Sequence, residues 1–563
     1  MTGVQTCALP ISNLRWSGDN LWAWKVTNLM LHFGTGCLLF VVAKMLFSTC
    51  LPTRHVQTAN LAMLATAIWL LHPLHPSTVL YTVQRMTELS ALFSAAGTLC
   101  YLHARTHPDT RFARVLLWSP YLVFLPLAAL SKEIGLLLPA FLAILEVTVL
   151  RGIGPIALRK QALGLHLIFL AVPVALGLGY FATHFDTAIW EPHLRRGFTL
   201  WERLLTESRV LVQYLAQILI PSRQRLGFFH DDLVLSTSLL SPPTTALSIL
   251  VLSGLVCAAW MLRQRAPLVA CGVLWFFAGH AMEASIVPLE LMFEHRNYLP
   301  SFGIIIAAVG VLGTSRLRLP GRIGSIAAFA TLGLYVLVTH SIVNDWRDEP
   351  RLYAAFYQAH PRSPTAASQF AELLTAQKRY DEAGAVLAPL TGTGAEIHRW
   401  FLECRQRGVL ADAMLNHDVF AREKTVTTYA VTGLIELAKL GLDDLCHFSV
   451  PKFVALLNDA IARPIVISSN RQKLIIYLAH FAWKNGDHAT AFARLQEAQK
   501  NTPEDPMPLF LMSEWKLARH DTVGALRALK DAEAIVRRSQ LDYSKTIASV
   551  RALIVNRQFQ ALP

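Results

Sequence analysis

Glu294, His295, Arg296 and Tyr298, side chains that can carry charge or a proton, fall within five consecutive positions. They close the stretch ASIVPLELMFEHRNYLPS, Ala284 to Ser301, which lies between two apolar runs. Charges and a histidine this close to a bilayer are costly unless they are paired, hydrated or used. A carboxylate here can take a proton from a hydroxyl, or hold a metal that activates it. An arginine can neutralise an anion through paired hydrogen bonds. The other reading of the same residues is an interfacial loop with a snorkelling arginine and an anchoring tyrosine. Pro300 sets the start of the next helix, because proline fits the first helical position.

Side chains of the same kinds cluster at other loops. His72, Pro73, His75, Gln84, Arg85 and Glu88 lie in or beside one loop, and Lys132 and Glu133 cap the tight hairpin SKE. His230, Asp231 and Asp232 come next, then Glu283 and Glu290. Arg85, Lys132 and Arg296 are the cations best placed to hold an anion, with Glu133 and Glu294 as acid–base groups or as their ion-pair partners. His75 either supports the site or hydrogen-bonds a helix end. The spacing of His230, Asp231 and Asp232 is not specific for a metal and reads as a solvated turn.

The elements that must position these groups are membrane helices. The 563 residues are 53% hydrophobic and 16% charged, with a mean hydropathy of +0.39, against about 25% charged in a soluble domain. The net charge of +13 does not call for nucleic acid, because cytoplasmic loops of membrane proteins collect lysine and arginine. Ten apolar runs are visible: Val26–Phe47, Thr58–Leu71, Glu88–Leu102, Val115–Leu130, Ile134–Leu150, Leu163–Thr183, Thr244–Leu262, Ala266–Ala281, Tyr298–Gly313 and Ile323–Ile342. One set of alternate loops holds Arg54; Arg105, Arg111 and Arg114; Arg151, Arg159 and Lys160; Arg263 and Arg265; and Arg316, Arg318 and Arg322. The opposite short loops hold only Arg85, Lys132 and Arg296, so the first set is assigned to the cytoplasm. Leu204–Ile220 must then be a re-entrant or interfacial helix, and its flanks Arg203, Glu207 and Arg209 suit a helix at the surface.

The stretch Glu294 to Gly303 resembles the E-R-x-x-YLPS-x-G signature of the transmembrane-and-TPR O-mannosyltransferases and their bacterial relatives. The match is Glu294, Arg296, Tyr298, Leu299, Pro300, Ser301 and Gly303, with the arginine displaced one position by His295. His72 to Val79 is similar to the family's HP-x-H-x-x-x-V, Arg85 to Leu89 to its R-x-x-E-L, and SKE to its hairpin. The resemblance covers about Asn13 to Leu390. It implies a multi-spanning glycosyltransferase of the GT-C type that uses a polyprenyl-phosphate-linked sugar. Glu133 and Glu294 are then the catalytic candidates, Arg85, Lys132, Arg296 and Tyr298 hold the lipid phosphate, and His75 and Glu88 support them. A divalent metal stays open as an activator.

The resemblance also bears on the N-terminus. Met1 to Ser12, MTGVQTCALPIS, lacks a basic n-region and a long apolar core, so it is not a signal peptide, and it resembles translated adapter sequence. Asn28 to His32 is similar to the segment just after the family's first external loop, whose acidic pair is taken to be catalytic. The expectation is a chain lacking its first helix and that acidic pair, and for that reason inactive as written; Asp19 is given no catalytic role.

From residue 343 the composition becomes that of a soluble helical domain. Asp487, Ala491 and Ala498 recur 34 residues on as Asp521, Ala525 and Ala532, the tetratricopeptide length. Tyr380, Ala383 and Ala385 mark an earlier repeat, and between about Ala395 and Pro464 the pattern is degraded though helical. Ser363–Pro364 reads as an N-cap and first helical position. None of the eight cysteines forms a CxxC pair. Only Cys404 and Cys446 lie outside the membrane half and the leader, and free buried thiols are preferred over a disulfide.

The fold expected is all-α: a polytopic membrane helix bundle over residues 13–342, then a soluble tetratricopeptide-type α-solenoid over 343–563. Ten spans place the tail on the face of the polar clusters, in the periplasm of a bacterial inner-membrane protein, where a concave groove accepts an exported protein or peptide. The expected function is sugar transfer from the lipid-linked donor to that acceptor. Two alternatives are a membrane-anchored scaffold for envelope assembly and an O-antigen ligase or polymerase.

Overall fold

The computed structural model describes residues 20–51, 55–109, 111–314, 321–415, 417–420, 425–465, 468–539 and 543–560. The leader 1–12 and Asp19 lie outside the described residues. Helices account for the architecture, and among the described residues there is no β-strand, only isolated bridges. The chain forms two compact units, Met1–His193 with Phe198–His360, and Leu194–Gly197 with Pro361–Pro563. The break lies later than residue 343 because the helix Glu349–Ala359 belongs to the first unit, where its Phe356 stacks on Phe228 at 5.5 Å.

Each apolar run of the first unit falls on helix. Among the described residues, five helices are long and apolar enough to cross a membrane: Leu21–Cys50, Ala113–Ser131, Ile156–Thr183, Thr244–Leu262 and Gly324–Asp345. Val56–Leu70, Pro267–His280 and Pro300–Gly313 are apolar but shorter. Leu138–Val147 is shorter still. Arg85–Thr106 has the length but buries Arg85, Glu88 and Arg105. Arg105 is neutralised inside the unit by Glu146 at 2.5 Å, which a buried guanidinium requires.

A close helix approach frames the candidate site. Pro267–His280 lies against Pro300–Thr314 with glycines at the point of backbone contact. A Cβ on Gly272 would fall 2.1 Å from the Gly303 carbonyl, and one on Gly303 2.5 Å from that of Gly272. A Cβ on Gly279 would fall 2.4 Å from the Pro300 ring. Glycine is needed there for close backbone approach.

Leu200–Leu219 starts with a full capping box, Thr199 with Glu202, as such termini favour. It is not a helix whose charges face solvent, which corrects the surface reading of Arg203 and Glu207. Both are buried and pair at 3.0 Å. Arg203 also donates to the carbonyls of Ser285 at 3.0 Å, of Leu289 and of Glu283. Those loop carbonyls supply the compensation that lets a charged residue go inside. Arg209 donates to the Val234 carbonyl at 2.6 Å.

In the second unit, Ser363 caps the helix Pro364–Ala376 as its sequence predicts. Asp487 caps His488–Asn501, and Asp521 accepts from the Gly524 N–H at 2.8 Å. Ala491, Ala498, Ala525 and Ala532 are all fully buried. Small side chains at these positions let the helices Ser468–Lys484 and His488–Asn501, and Met507–Ala518 and Thr522–Ser539, pack closely. Cys404 and Cys446 are disulfide-bonded, with Cα atoms 5.5 Å apart, which corrects the expectation of free thiols. The end of the helix Thr393–Arg407 and the turn after Thr428–Leu442 meet through backbone hydrogen bonds, Leu410 to His447 at 3.0 Å and His447 to Gly408 at 2.8 Å. That places the two sulfurs within bonding reach, a long-range approach that a separation of 42 residues hides.

Candidate functional site

The run from Ala281 to Phe293 is irregular chain, and Glu294–Asn297 closes it as one 3-10 turn before the helix that Pro300 starts. Three anchors fix this path: Arg203 on the carbonyls above, Tyr214 donating to the Phe293 carbonyl at 3.0 Å, and Trp69 donating to the Tyr298 carbonyl at 2.9 Å. The turn is buried, so its alternating side chains enter different surroundings.

Arg296 points to Glu283, with Nε 3.5 Å from Oε2, and donates from Nη1 to the Leu291 carbonyl at 3.0 Å. Burial opposes its charge, but Glu283, Tyr214 and Glu207 outweigh that and hold its pKa above the usual arginine value. Lys132 donates to the Thr87 hydroxyl at 2.9 Å. Burial lowers the pKa of its ammonium, against the pull of Glu283 and Glu133 and with the push of Arg296. Glu283 thus pairs with Arg296 and lies within electrostatic reach of Lys132. His295 is driven well below the ordinary histidine range by burial and by these two cations, so it is neutral. Glu207 is raised to about 7 by burial, against Arg203 and Arg296.

A cleft opens beside these groups. Thr87, Ser90 and Ser94 line one wall, His295, Arg296 and Tyr298 another, and Ile134, Leu137 and Phe141 a third. Hydroxyls and a guanidinium together with apolar side chains suit an anionic head carried on an apolar chain.

Glu294 faces elsewhere. Its Oε1 accepts from the Gly227 N–H at 2.6 Å and lies 3.9 Å from His230 Nε2. Burial raises its pKa to about 8, against the hydrogen bonds from Gly227 and Ser77. Sequence adjacency suggested that Glu294 orients Arg296; the 3-10 turn separates them, and Glu283 takes that place. Glu133, half-buried at the start of its own turn, stays within electrostatic reach of Lys132.

His230 is not in a solvated turn. It is buried edge-on to His360 at 4.5 Å, and His360 is bonded to Asp232 at 3.1 Å. Burial and His360 push His230 down to about 3. No group of three or more His, Cys, Asp or Glu stands ready for a metal among the described residues.

The other sequence candidates gather around Tyr298. Its ring sits against His32, Trp69 and His75 at 5.0 to 5.6 Å. Its hydroxyl is 2.7 Å from His32 Nδ1. Neither ring nitrogen of His75 and neither carboxylate oxygen of Glu88 has a hydrogen-bond partner among the described residues, although both side chains are buried. Glu88 is within electrostatic reach of Arg85 and Tyr298. Arg85 donates to Asn28 at 2.7 Å and to the Trp24 carbonyl at 3.0 Å. Arg296 and Lys132 are thus brought together, whereas Arg85 is tied to the Leu21–Cys50 helix.

Sequence reasoning missed Arg203 and Glu283 as anchors of the turn, and Asn28 and His32 as partners of Arg85 and Tyr298. Asn28 and His32 stand four apart inside an apolar run, on one helix face. That polar pair was the available signal. No family model, curated protein or solved structure matches the chain.

Proposed function

We propose that this protein is a membrane glycosyltransferase that moves a sugar from a polyprenyl-phosphate-linked donor to an exported acceptor, with protein O-glycosylation as the reaction. One observation carries the reading: two buried cations, Arg296 ion-paired to Glu283 and Lys132 within electrostatic reach of the same acid, adjoin a cleft lined by hydroxyls and by apolar side chains. A phosphate entering there supplies a further counter-charge while its polyprenyl chain meets Ile134, Leu137 and Phe141. During transfer the bond from the sugar's anomeric carbon to the phosphate oxygen breaks, and a bond to the acceptor oxygen forms. The departing phosphate gains charge, which Arg296 and Lys132 stabilise. The acceptor proton passes to a carboxylate; in this reading the acceptor hydroxyl enters from the Gly227 side of the turn, opposite the phosphate, where burial gives Glu294 an affinity for a proton near the working pH, as a general base needs.

Further features fit this reading. The 34-residue spacing of buried alanines favours a tetratricopeptide-type solenoid that offers a groove for a peptide acceptor. The Cys404–Cys446 disulfide suits an oxidising compartment such as the periplasm, with the helical first unit in the inner membrane. The test is sugar transfer in membrane vesicles from radiolabelled polyprenyl-phosphate mannose or glucose. Arg296→Lys keeps the charge and removes the paired geometry, and it is expected to lower transfer at least tenfold with expression unchanged. Undiminished transfer by this variant would refute the assignment. A labelled lipid instead of a labelled protein would move the protein to the O-antigen ligase or polymerase class.

A further inference from the structure

The second unit carries a polar cluster that the transfer chemistry does not use. Glu372 comes from the helix Pro364–Ala376, His398 from Thr393–Arg407, and Tyr429, Glu436 and Lys439 from Thr428–Leu442. The rings are seated on glycines: a Cβ on Gly394 would fall 2.3 Å from the Tyr429 ring, and one on Gly433 2.9 Å from His398 Nδ1. Tyr429 in turn stacks on His398, with ring centroids 4.1 Å apart. His398 is thereby fixed, and it is only 2% exposed. Its Nε2 lies 3.9 Å from Oε1 of Glu372, whose side chain stays 39% exposed. Lys439 reaches Glu436 at 2.5 Å and acts on Glu372 only at longer range.

His398 Nδ1 is 2.9 Å from the Gly394 carbonyl. A carbonyl only accepts, so Nδ1 carries the ring proton. Burial holds the ring neutral, with its pKa lowered to about 4. Nε2 is then a bare acceptor, and it has no hydrogen-bond partner among the described residues. It faces the Glu372 carboxylate, a second acceptor. Burial and the neighbouring Glu436 raise Glu372 to about 7, against the pull of Lys439. Above that pH its charge lacks a bonded counter-ion, because Lys439 is taken by Glu436. An ammonium or a guanidinium answers both needs, donating to Nε2 and to Oε1 at once. An anion would meet two carboxylates, and an apolar group would leave both acceptors dry. The cation must also reach a histidine that is nearly closed off, while the rest of its molecule stays at the surface. A lysine or arginine side chain does so on its methylene stem, and a chain's own terminal amine is too short. We infer that Glu372, His398 and Glu436 form a binding site for a basic side chain, lysine or arginine, of a peptide ligand. The binding claim stands on these residues alone. Identifying that peptide with the acceptor rests on the glycosyl-transfer reading.

The experiment uses the full chain in phosphatidylcholine nanodiscs, which lack the anionic lipids that attract basic segments. A displayed library of random dodecapeptides is selected against it at pH 8, above the Glu372 value of about 7, and against empty nanodiscs. Peptides held by the chain alone should be enriched for lysine or arginine at one position. For the tightest of them, Glu372→Gln should weaken binding about tenfold or more, as loss of one partner of a buried charge pair does. Replacing the peptide's lysine by norleucine, or its arginine by citrulline, should do the same. The two changes together should cost no more than either alone, because both remove one interaction. Exchanging lysine and arginine in the peptide decides which cation fits. Glu436→Gln carries the same expectation, and both glutamates are partly exposed, so neither variant depends on repacking a core. No basic position among the selected peptides, or binding indifferent to both substitutions, overturns the inference. Displacement of the peptide by an equal concentration of spermidine overturns the peptide as ligand. In either case Arg296-dependent sugar transfer would still support the glycosyl-transfer reading. Peptide binding that needs Glu372, in a chain whose transfer is indifferent to Arg296→Lys, would leave this site standing and remove that reading.

Discussion

Replacing Glu294 with glutamine separates the two jobs its carboxyl can have. Glutamine keeps a side-chain oxygen to accept from the Gly227 N–H, now 2.6 Å from Glu294 Oε1, but it cannot take a proton. The native carboxyl has a pKa of about 8 against an ordinary 4.5, chiefly because it is buried. Between these values the folded chain binds more protons at this site than the unfolded chain. Stability therefore falls as pH rises from about 4.5 to about 8. Each pH unit in that window is worth about 1.4 kcal/mol, so on the order of 4 kcal/mol is the ceiling by pH 8. Glu294→Gln should match the parent near pH 4.5 and unfold at a higher temperature than it at pH 8. Its transfer rate should fall roughly 10²–10⁴-fold, the usual worth of a general base, and lose the rise up to about pH 8 that a base of this pKa predicts for the parent. Thermal unfolding and initial rates of sugar transfer across that range measure both. If the variant is the less stable protein at pH 8, Glu294 is an ionised structural anchor. If the rise in rate survives the substitution, the base is another group.

Gly303→Ala should destabilise the first unit by about 1–3 kcal/mol, as overpacking does, because its Cβ would press on the Gly272 carbonyl at 2.5 Å; an unchanged unfolding temperature would contradict the crossing. Arg203→Met strips the donors from the Ser285, Leu289 and Glu283 carbonyls and the partner from Glu207. It should cost about 3–5 kcal/mol, as breaking a buried pair does, and lower transfer without removing any group from the cleft; equal thermal unfolding and activity would show that the loop holds itself. Cys404→Ser should weaken the second unit by about 4 kcal/mol in the loop-entropy account, read by urea unfolding with and without reductant; insensitivity to both would mean that the bond adds nothing. Cysteine-accessibility mapping should find the second unit on the same side of the membrane as Lys132 and Arg296, and cytoplasmic labelling of that unit would overturn the charge-parity argument.

The sequence alone carried the parts that depend on local pattern. Apolar runs bounded by proline and polar caps became helices because their backbone bonds close locally. Pro300 and Ser363 mark helix starts where they were expected, since capping involves only the next few residues. The crowding of Glu294, His295 and Arg296 was visible as an improbable cost near a bilayer. What the sequence could not reveal was who answers those charges. Adjacent residues in a tight turn point different ways, so Glu294 and Arg296, two apart, face different neighbours. Glu283, eleven positions before Glu294, became the partner of Arg296 because Arg203, from another helix, folds the intervening loop back. Tyr298 reads from sequence as a ligand at the interface; packing ties its hydroxyl to His32, 266 residues away. The Cys404–Cys446 bond and the packing of Phe228 against Trp346 and Phe356 were equally hidden. Each joins groups that long stretches of chain separate, and only the packing of whole helices sets the few ångströms that make them partners.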